Sequence, residues 1–409
     1  MRDALVIVGG GLAGAKAAEG AREAGWEGPV RIIGAEPRIP YERPPLSKAV
    51  LQGADEPEST YIYDGDWHDQ QGVEIHTGEV VEALDVANHA VRLRGGASFD
   101  YAKLVLATGS TPVRPDLPGA TARGTFTLRT IDDSIALRDR FTRGSRLIVV
   151  GGGWIGAEVA ASAVARGVEV TMIVRGEALL ERVLGRRVGD FFVRLHRGHG
   201  VDVRLGAEIV SVEDSGEALV ATLSDGSRVE TDTLVWGTGA RPNVSLAQAA
   251  GLAVEDGVLV DGELITSHPD VYAAGDIASH AHPVFGGRVR VEHWANALEQ
   301  GLAAGANAAG AATPYTRLPF FFSDQYELGM EYSGWPVRPE EVVIRGSLEA
   351  GEFVAFYLKS GVVAGGANVN VWDVNDHVQD LMRAAKPVDA AVLADPGIDP
   401  ADWVRLAIR

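Results

Sequence analysis

A short apolar strand, a G-x-G-x-x-G turn and an alanine-rich helix occur twice in this chain. Residues 4–25 read ALVIVGGGLAGAKAAEGAREAG and residues 146–167 read RLIVVGGGWIGAEVAASAVARG. The glycines are Gly9, Gly11 and Gly14 in the first copy and Gly151, Gly153 and Gly156 in the second. In such a unit the first glycine makes the tight strand-to-helix turn. The second, lacking a Cβ, lets a pyrophosphate approach the backbone, and the third lets helix and strand pack closely with the helix N-terminus facing the anion. One copy is a common glycine-rich turn. Two copies in matching strand–turn–helix contexts point to two dinucleotide sites, and two dinucleotides on one chain point to electron transfer between them.

At 409 residues the chain exceeds one ordinary core, so two or three domains are expected. A hydrophobic share of 46% with 23% charged residues is that of a globular protein, and the 50 glycines suit tight nucleotide-binding turns. A net charge of −19 argues against nucleic acid or an anionic membrane as the main partner. No apolar run approaches the ~20 residues that span a bilayer, and the N-terminus enters a strand at once instead of forming a signal peptide, so a cytoplasmic location is expected. The chain has no cysteine. Dithiol and single-cysteine redox chemistry is therefore excluded, and electrons must leave from a bound cofactor itself.

The second strand of the first unit, Val30 to Gly34, leads to Glu36, 22 residues past Gly14, where a carboxylate can hydrogen-bond a ribose hydroxyl. Tyr41-Glu42-Arg43-Pro44-Pro45-Leu46-Ser47-Lys48 reads as an extended turn fixed by two prolines, with Ser47 able to cap a following helix. The unit closes on the strand Leu104–Gly109, and the second unit closes on a matching segment, Leu234–Gly239, as an internal duplication would. A strand then runs to Asp276, followed by a small-residue helix from Ala295 to Ala312. From about 315 a hairpin (Val342–Arg345 with Phe353–Tyr357) and a helical stretch (Asp376–Ala385) indicate an α+β domain. The expected fold class is α/β: two Rossmann-like (three-layer ββα) nucleotide-binding domains plus a C-terminal α+β domain.

Taken together, the two fingerprints, YERPPLSK at 41–48, ATGSTP at 107–112, GTGARPN at 237–243, TSHPDVYAAGD at 266–276, VEHWANA at 291–297 and PFFFSDQYELG at 319–329 carry a resemblance. They resemble the FAD-dependent ferredoxin reductases of bacterial oxygenase and cytochrome P450 systems, of the putidaredoxin reductase and biphenyl dioxygenase reductase type, with the glutathione reductase-like fold. The resemblance covers essentially the whole chain. It implies a discontinuous FAD domain (1–111 and 238–314), a nicotinamide dinucleotide domain (112–237) and a C-terminal domain (315–409). It implies FAD on the first fingerprint with Asp276 at the ribitol, and NADH, or NADPH, on the second. Lys48 and Glu158 would stand beside the reactive edge of the flavin as the catalytic pair, and Trp294 would flank its ring. Arg43, Thr108, Gly109, Ile155, Arg175 and Gly239 join the cofactor-binding set. The residue-level alternatives are a surface lysine at 48, an exposed acid favoured by the helix dipole in the first turn at 158, a helix cap at 276 and a core tryptophan at 294.

NADH-preferring relatives carry an acid at the end of the second strand of the second nucleotide domain. Here that position is Val174, followed by Arg175, which could attract a 2′-phosphate, while Glu177 nearby could recover the ribose contact. The partner implied is a [2Fe–2S] ferredoxin feeding a cytochrome P450 or a ring-hydroxylating oxygenase. Arg290, Arg317 and Arg338 are candidates for a basic docking patch. Two other functions use the same core: an NAD(P)H oxidase or quinone-type flavin reductase without a protein acceptor, and a flavoprotein of the apoptosis-inducing-factor type. No metal set is expected, and His280 and His282 read as loop residues.

Overall fold

A computed structural model describes residues 3–335 and 339–408. It divides into two compact units: Met1–Glu42, Glu58–Thr111 and Arg241–Phe320 form one, and Arg43–Pro57, Pro112–Ala240 and Phe321–Arg409 form the other.

In the first unit a five-stranded parallel sheet runs in the order Val271–Ala273, Lys103–Leu106, Leu5–Val8, Val30–Gly34, Val73–Thr77. The central strand LVIV is buried at every position. Parallel strands are covered on both faces, so their sequences are continuous apolar runs without alternation. Register is fixed by Leu5 opposite Val30 on one side and Lys103 on the other. One cover is the helix pair Leu12–Glu23 and Trp294–Ala308. A Cβ on Gly301 would lie 2.6 Å from the Ala13 carbonyl oxygen, and one on Gly305 would fall on that of Ala17. The small residues of the second helix are therefore there to let two backbones touch. The predicted helix Ala295–Ala312 starts one residue earlier and ends at Ala308. A three-stranded antiparallel sheet (Val81–Asp85, Ala90–Leu93, Ser98–Asp100) and a four-stranded one (Val254–Glu255, Gly257–Val260, Ala278–His282, Gly287–Val289) complete the unit. The loop reading of His280 and His282 is corrected. Both lie in the strand Ala278–His282 and are buried, because Val289 pairs opposite His280 and Gln300 meets its ring at 3.2 Å.

The second unit repeats the first topology. Its parallel sheet runs Asp202–Leu205, Glu169–Val174, Arg146–Val150, Thr233–Trp236, Thr125–Phe126. In both sheets the closing strand and the second strand flank the opening strand. An antiparallel three-stranded sheet (Ile209–Asp214, Leu219–Leu223, Arg228–Thr231) follows. The C-terminal part is a five-stranded antiparallel sheet in the order Phe320–Gln325, Leu328–Gly334, Val362–Val369, Glu352–Lys359, Glu341–Ser347. The expected hairpin pairs Ile344 with Ala355, and the helix Asn375–Ala384 packs on the sheet with Val378 over Gly366. Among the described residues no helix is long and apolar enough to cross a membrane.

Candidate functional site

The two glycine turns have the same geometry. Gly9 and Gly151 hold φ of +128° and +114°, a region open to glycine. A Cβ on Gly9 would fall on the carbonyl oxygen of Ala107, and one on Gly151 on that of Gly237, so each first glycine sits against its closing strand. A Cβ on Gly14 would fall on the carbonyl oxygen of Gly9, and one on Gly156 would come within 2.6 Å of that of Gly151. The third glycine of each turn thus packs on the first. Gly11 and Gly153 cap their helices in extended conformation with no side-chain hydrogen bond to the helix end. A Cβ built on Gly153 meets nothing within 4 Å. Each turn ends at a helix N-terminus whose first backbone N–H groups have no intrahelical partner, a cradle for an anion.

In the first unit Glu36 lies two residues past its strand and accepts a hydrogen bond from the Tyr41 hydroxyl. Thr108 and Asn243 are tied through two bonds, Thr108 Oγ1 to the Asn243 carbonyl and Asn243 Nδ2 to the Thr108 carbonyl, both 2.8 Å. Gly109 follows with its carbonyl receiving the Asn243 amide at 2.9 Å. Asp276 is buried inside a short turn of 3₁₀ helix (Gly275–Ile277) and accepts from Ser110 Oγ at 2.6 Å. The cap of the helix that follows is His293, not Asp276. Trp294 is the first residue of that helix and is half-buried.

In the second unit Lys48 and Glu158 meet. Lys48 Nζ stands 3.0 Å from Glu158 Oε2, with side-chain exposures of 16% and 5%. The surface readings of both residues are therefore corrected. The helix begins at Trp154, so Glu158 lies in its second turn and is held by partners, not by the helix dipole at a first turn. Ser47 does not cap. Its hydroxyl reaches Glu158 Oε2 at 2.5 Å, and its carbonyl accepts from Ser162 Oγ at 2.7 Å. Ser323 Oγ donates to the other carboxylate oxygen at 2.7 Å. Lys48 Nζ also lies 5.6 Å from the Phe322 ring centre. A buried ion pair with every oxygen engaged is a charge held in one place, ready to act on a neighbouring dipole. Ser47 and Ser323 escaped the sequence reading. Phe321, Ser323 and Gln325 are buried alternately in their strand, while its sequence, FFFSDQ, carries no alternation that marks the two polar residues as inward.

Around the second cradle, Ile155 is 44% exposed, and a Cβ on Gly239 meets nothing within 4 Å. Arg175 is 85% exposed and pairs with Glu208 at 3.5 Å. Glu177 accepts from Arg186, and its own amide donates to Glu181 at 3.1 Å. Arg43 donates to the Arg129 carbonyl at 2.5 Å. Of the docking candidates, Arg290 is only 12% exposed and is neutralised by Asp256 and Glu292 at 2.9 and 2.6 Å. Arg317 is exposed and lies 3.5 Å from Glu299, and Arg338 lies outside the described residues. Among the described residues no cluster of three or more His, Asp or Glu could hold a metal ion.

The family model described as pyridine nucleotide-disulphide oxidoreductase matches residues 3–301, and one described as reductase C-terminal matches residues 320–402. The chain is 36% identical over 404 residues to putidaredoxin reductase CamA of Pseudomonas putida, covering 97% of this chain and 95% of that one. It is 37% identical over 399 residues to the anthranilate 1,2-dioxygenase system ferredoxin–NAD(+) reductase component of Burkholderia cepacia, covering 97% and 98%. Among solved structures, the covalent putidaredoxin reductase–putidaredoxin complex superposes with a TM-score of 0.94 at 35% identity, covering 98% of each chain. The chain belongs to the pyridine nucleotide-disulphide oxidoreductase family, in its putidaredoxin reductase-like branch.

Proposed function

We propose that this chain is an NADH:ferredoxin oxidoreductase that carries FAD and serves a [2Fe–2S] ferredoxin feeding a cytochrome P450 or a ring-hydroxylating oxygenase. The observation that carries this reading is the matched pair of glycine cradles, each with the same clash pattern, in a chain without cysteine. Bound FAD would supply the conversion of a two-electron hydride donor into single electrons. The relatives named above are ferredoxin–NAD(+) and putidaredoxin reductases.

The residues present fit the group. Gly9, Gly11 and Gly14 would hold the FAD pyrophosphate, Glu36 the ribose and Asp276 the ribitol, with Thr108, Gly109 and Trp294 completing the site. Gly151, Gly153, Ile155, Gly156, Arg175 and Gly239 would hold the nicotinamide dinucleotide. Lys48 would supply a fixed positive charge beside Glu158, and Glu158 would accept a hydrogen bond from the nicotinamide carboxamide. The FAD domain comprises 1–111 and 238–314, the coenzyme domain 112–237 and the C-terminal domain 315–409, and the cytoplasm is the place of action.

Coenzyme choice follows from charge. Glu208 already engages Arg175, so a 2′-phosphate would have to compete with a carboxylate for that guanidinium. Anaerobic rapid mixing of the flavin-loaded protein with NADH and NADPH in parallel tests this. NADH is expected to reduce it at half-saturating concentrations at least ~10-fold lower, a difference of ~1.4 kcal/mol. Equal or better reduction by NADPH contradicts the assignment.

A further inference from the structure

Buried side chains from three separate elements of the second unit form one file that ends on Glu158. Ser323 Oγ donates to Glu158 Oε1 at 2.7 Å, Gln325 Nε2 to Ser323 Oγ at 3.3 Å, and His196 Nε2 meets Gln325 Oε1 at 3.0 Å. Tyr326 Oη meets His196 Nδ1 at 2.9 Å. Glu158 is 4% exposed, and Ser323, Gln325 and His196 are wholly buried.

The file has one polarity. An ionised carboxylate only accepts, so Ser323 must donate to it. Ser323 then accepts from the amide nitrogen of Gln325, which turns the amide oxygen toward His196. His196 must therefore carry its proton on Nε2, leaving Nδ1 to accept from the Tyr326 hydroxyl. Burial pushes the imidazole down to about 4, so the ring is neutral near pH 7 and has one proton to give, as this pattern requires. One amide orientation and one tautomer satisfy every member.

Such a file is costly as core. Buried polar groups gain little over apolar ones of the same shape and lose heavily when one partner is missing. Phe321, Leu328 and Tyr332 pack nearby as an apolar cluster that three more hydrophobic residues would extend. The outer anchor is also strained. Tyr326 holds φ of +58° at the turn between two strands, a position that suits glycine or asparagine. Its ring is stacked on His199 at 3.7 Å and 8°.

We infer that Ser323, Gln325, His196 and Tyr326 are positioning residues that fix the carboxylate plane of Glu158 by holding Oε1, the oxygen opposite the one engaged by Lys48 and Ser47. This rests on the reading that Glu158 orients the nicotinamide. The file does not relay protons, because the Gln325 amide cannot pass one on in its ordinary form. It acts by geometry, and a misplaced orienting group slows transfer without necessarily weakening coenzyme binding.

The test uses the flavin-loaded protein in anaerobic rapid mixing with NADH, reading the limiting reduction rate and the half-saturating concentration separately. Ser323→Ala is expected to lower the limiting rate on the order of tenfold with a much smaller change in half-saturation, and Ser323→Thr to restore it to within about twofold. Tyr326→Phe, which removes one oxygen at the half-exposed end of the file, lowers the rate in the same direction by less. Combining Ser323→Ala with Glu158→Gln leaves the rate within about twofold of Glu158→Gln alone, since the file acts through that carboxylate. A double variant slowed by the product of the two single effects overturns the inference. So does a Ser323→Ala protein that keeps its flavin and reduces within twofold of the parent. If Glu158→Gln alone leaves the limiting rate unchanged, the assigned role of Glu158 falls, and the inference with it.

Discussion

Gly14→Ala is expected to yield protein that has lost most of its flavin. The added methyl would fall on the Gly9 carbonyl oxygen, and Gly9 cannot retreat because its own α-carbon lies against the Ala107 carbonyl. The helix Leu12–Glu23 would have to lift from the strand Leu5–Val8, carrying its N-terminal amides away from the pyrophosphate. Lifting it also opens the glycine-lined contact with the helix Trp294–Ala308. Overpacking of this kind costs about 1–3 kcal/mol, enough to weaken flavin binding roughly 5- to 150-fold. The ratio of flavin to protein absorbance after purification measures it. Gly95→Ala, where a Cβ meets nothing within 4 Å, keeps its colour. A Gly14→Ala protein with full flavin would show that the first cradle is not the FAD site.

Gly153→Asp is expected to separate folding from coenzyme use by moving them in opposite directions. Gly153 caps the helix Trp154–Ala165 in an ordinary extended conformation, and a Cβ there meets no atom within 4 Å. Aspartate is a better cap than glycine by about a few tenths of a kcal/mol, so thermal stability is unchanged or slightly raised. The same carboxylate occupies the helix N-terminus where the coenzyme pyrophosphate would sit, and like charges at about 4 Å repel by roughly 1–4 kcal/mol in this setting. Occupying the anion position adds to the repulsion, and the half-saturating NADH concentration is expected to rise on the order of 10²-fold. Flavin content stays at the parent level, because the first cradle is untouched. Steady-state reduction against NADH concentration, beside a melting curve, checks both halves. Unchanged NADH dependence would remove the second cradle from the coenzyme site.

The parts of this architecture set by local spacing were legible in the sequence. Gly9 and Gly151 are required by a turn a few residues long, and continuous apolar runs such as Leu5–Val8 report a sheet covered on both faces. The positions that misled are those whose partners are far away in the chain. Ser47 has the look of a helix cap, yet it bonds to Glu158, 111 residues on. Glu158 counts as a first-turn acid only if the helix starts late; it starts at Trp154, and the acid is buried beneath Ser47, Lys48 and Ser323. His280 and His282 resemble loop residues because histidine carries little strand preference, and their burial is decided by pairing with the strand Gly287–Val289 and by Gln300. His196 and Gln325 meet across 129 residues, a separation at which no periodicity speaks. Arg290 qualifies for docking by charge alone, and only the fold sets Asp256 and Glu292 beside it.

Electron delivery tests the central claim most directly. The flavin-loaded protein is mixed anaerobically with limiting NADH and an excess of oxidised [2Fe–2S] ferredoxin, and the loss of the iron–sulfur absorbance is followed. The account predicts about two ferredoxins reduced per NADH consumed, since each hydride carries an electron pair and each cluster takes one electron. A protein whose flavin is reduced by NADH while a panel of [2Fe–2S] ferredoxins stays oxidised, with turnover restored only by oxygen or a quinone, would contradict it.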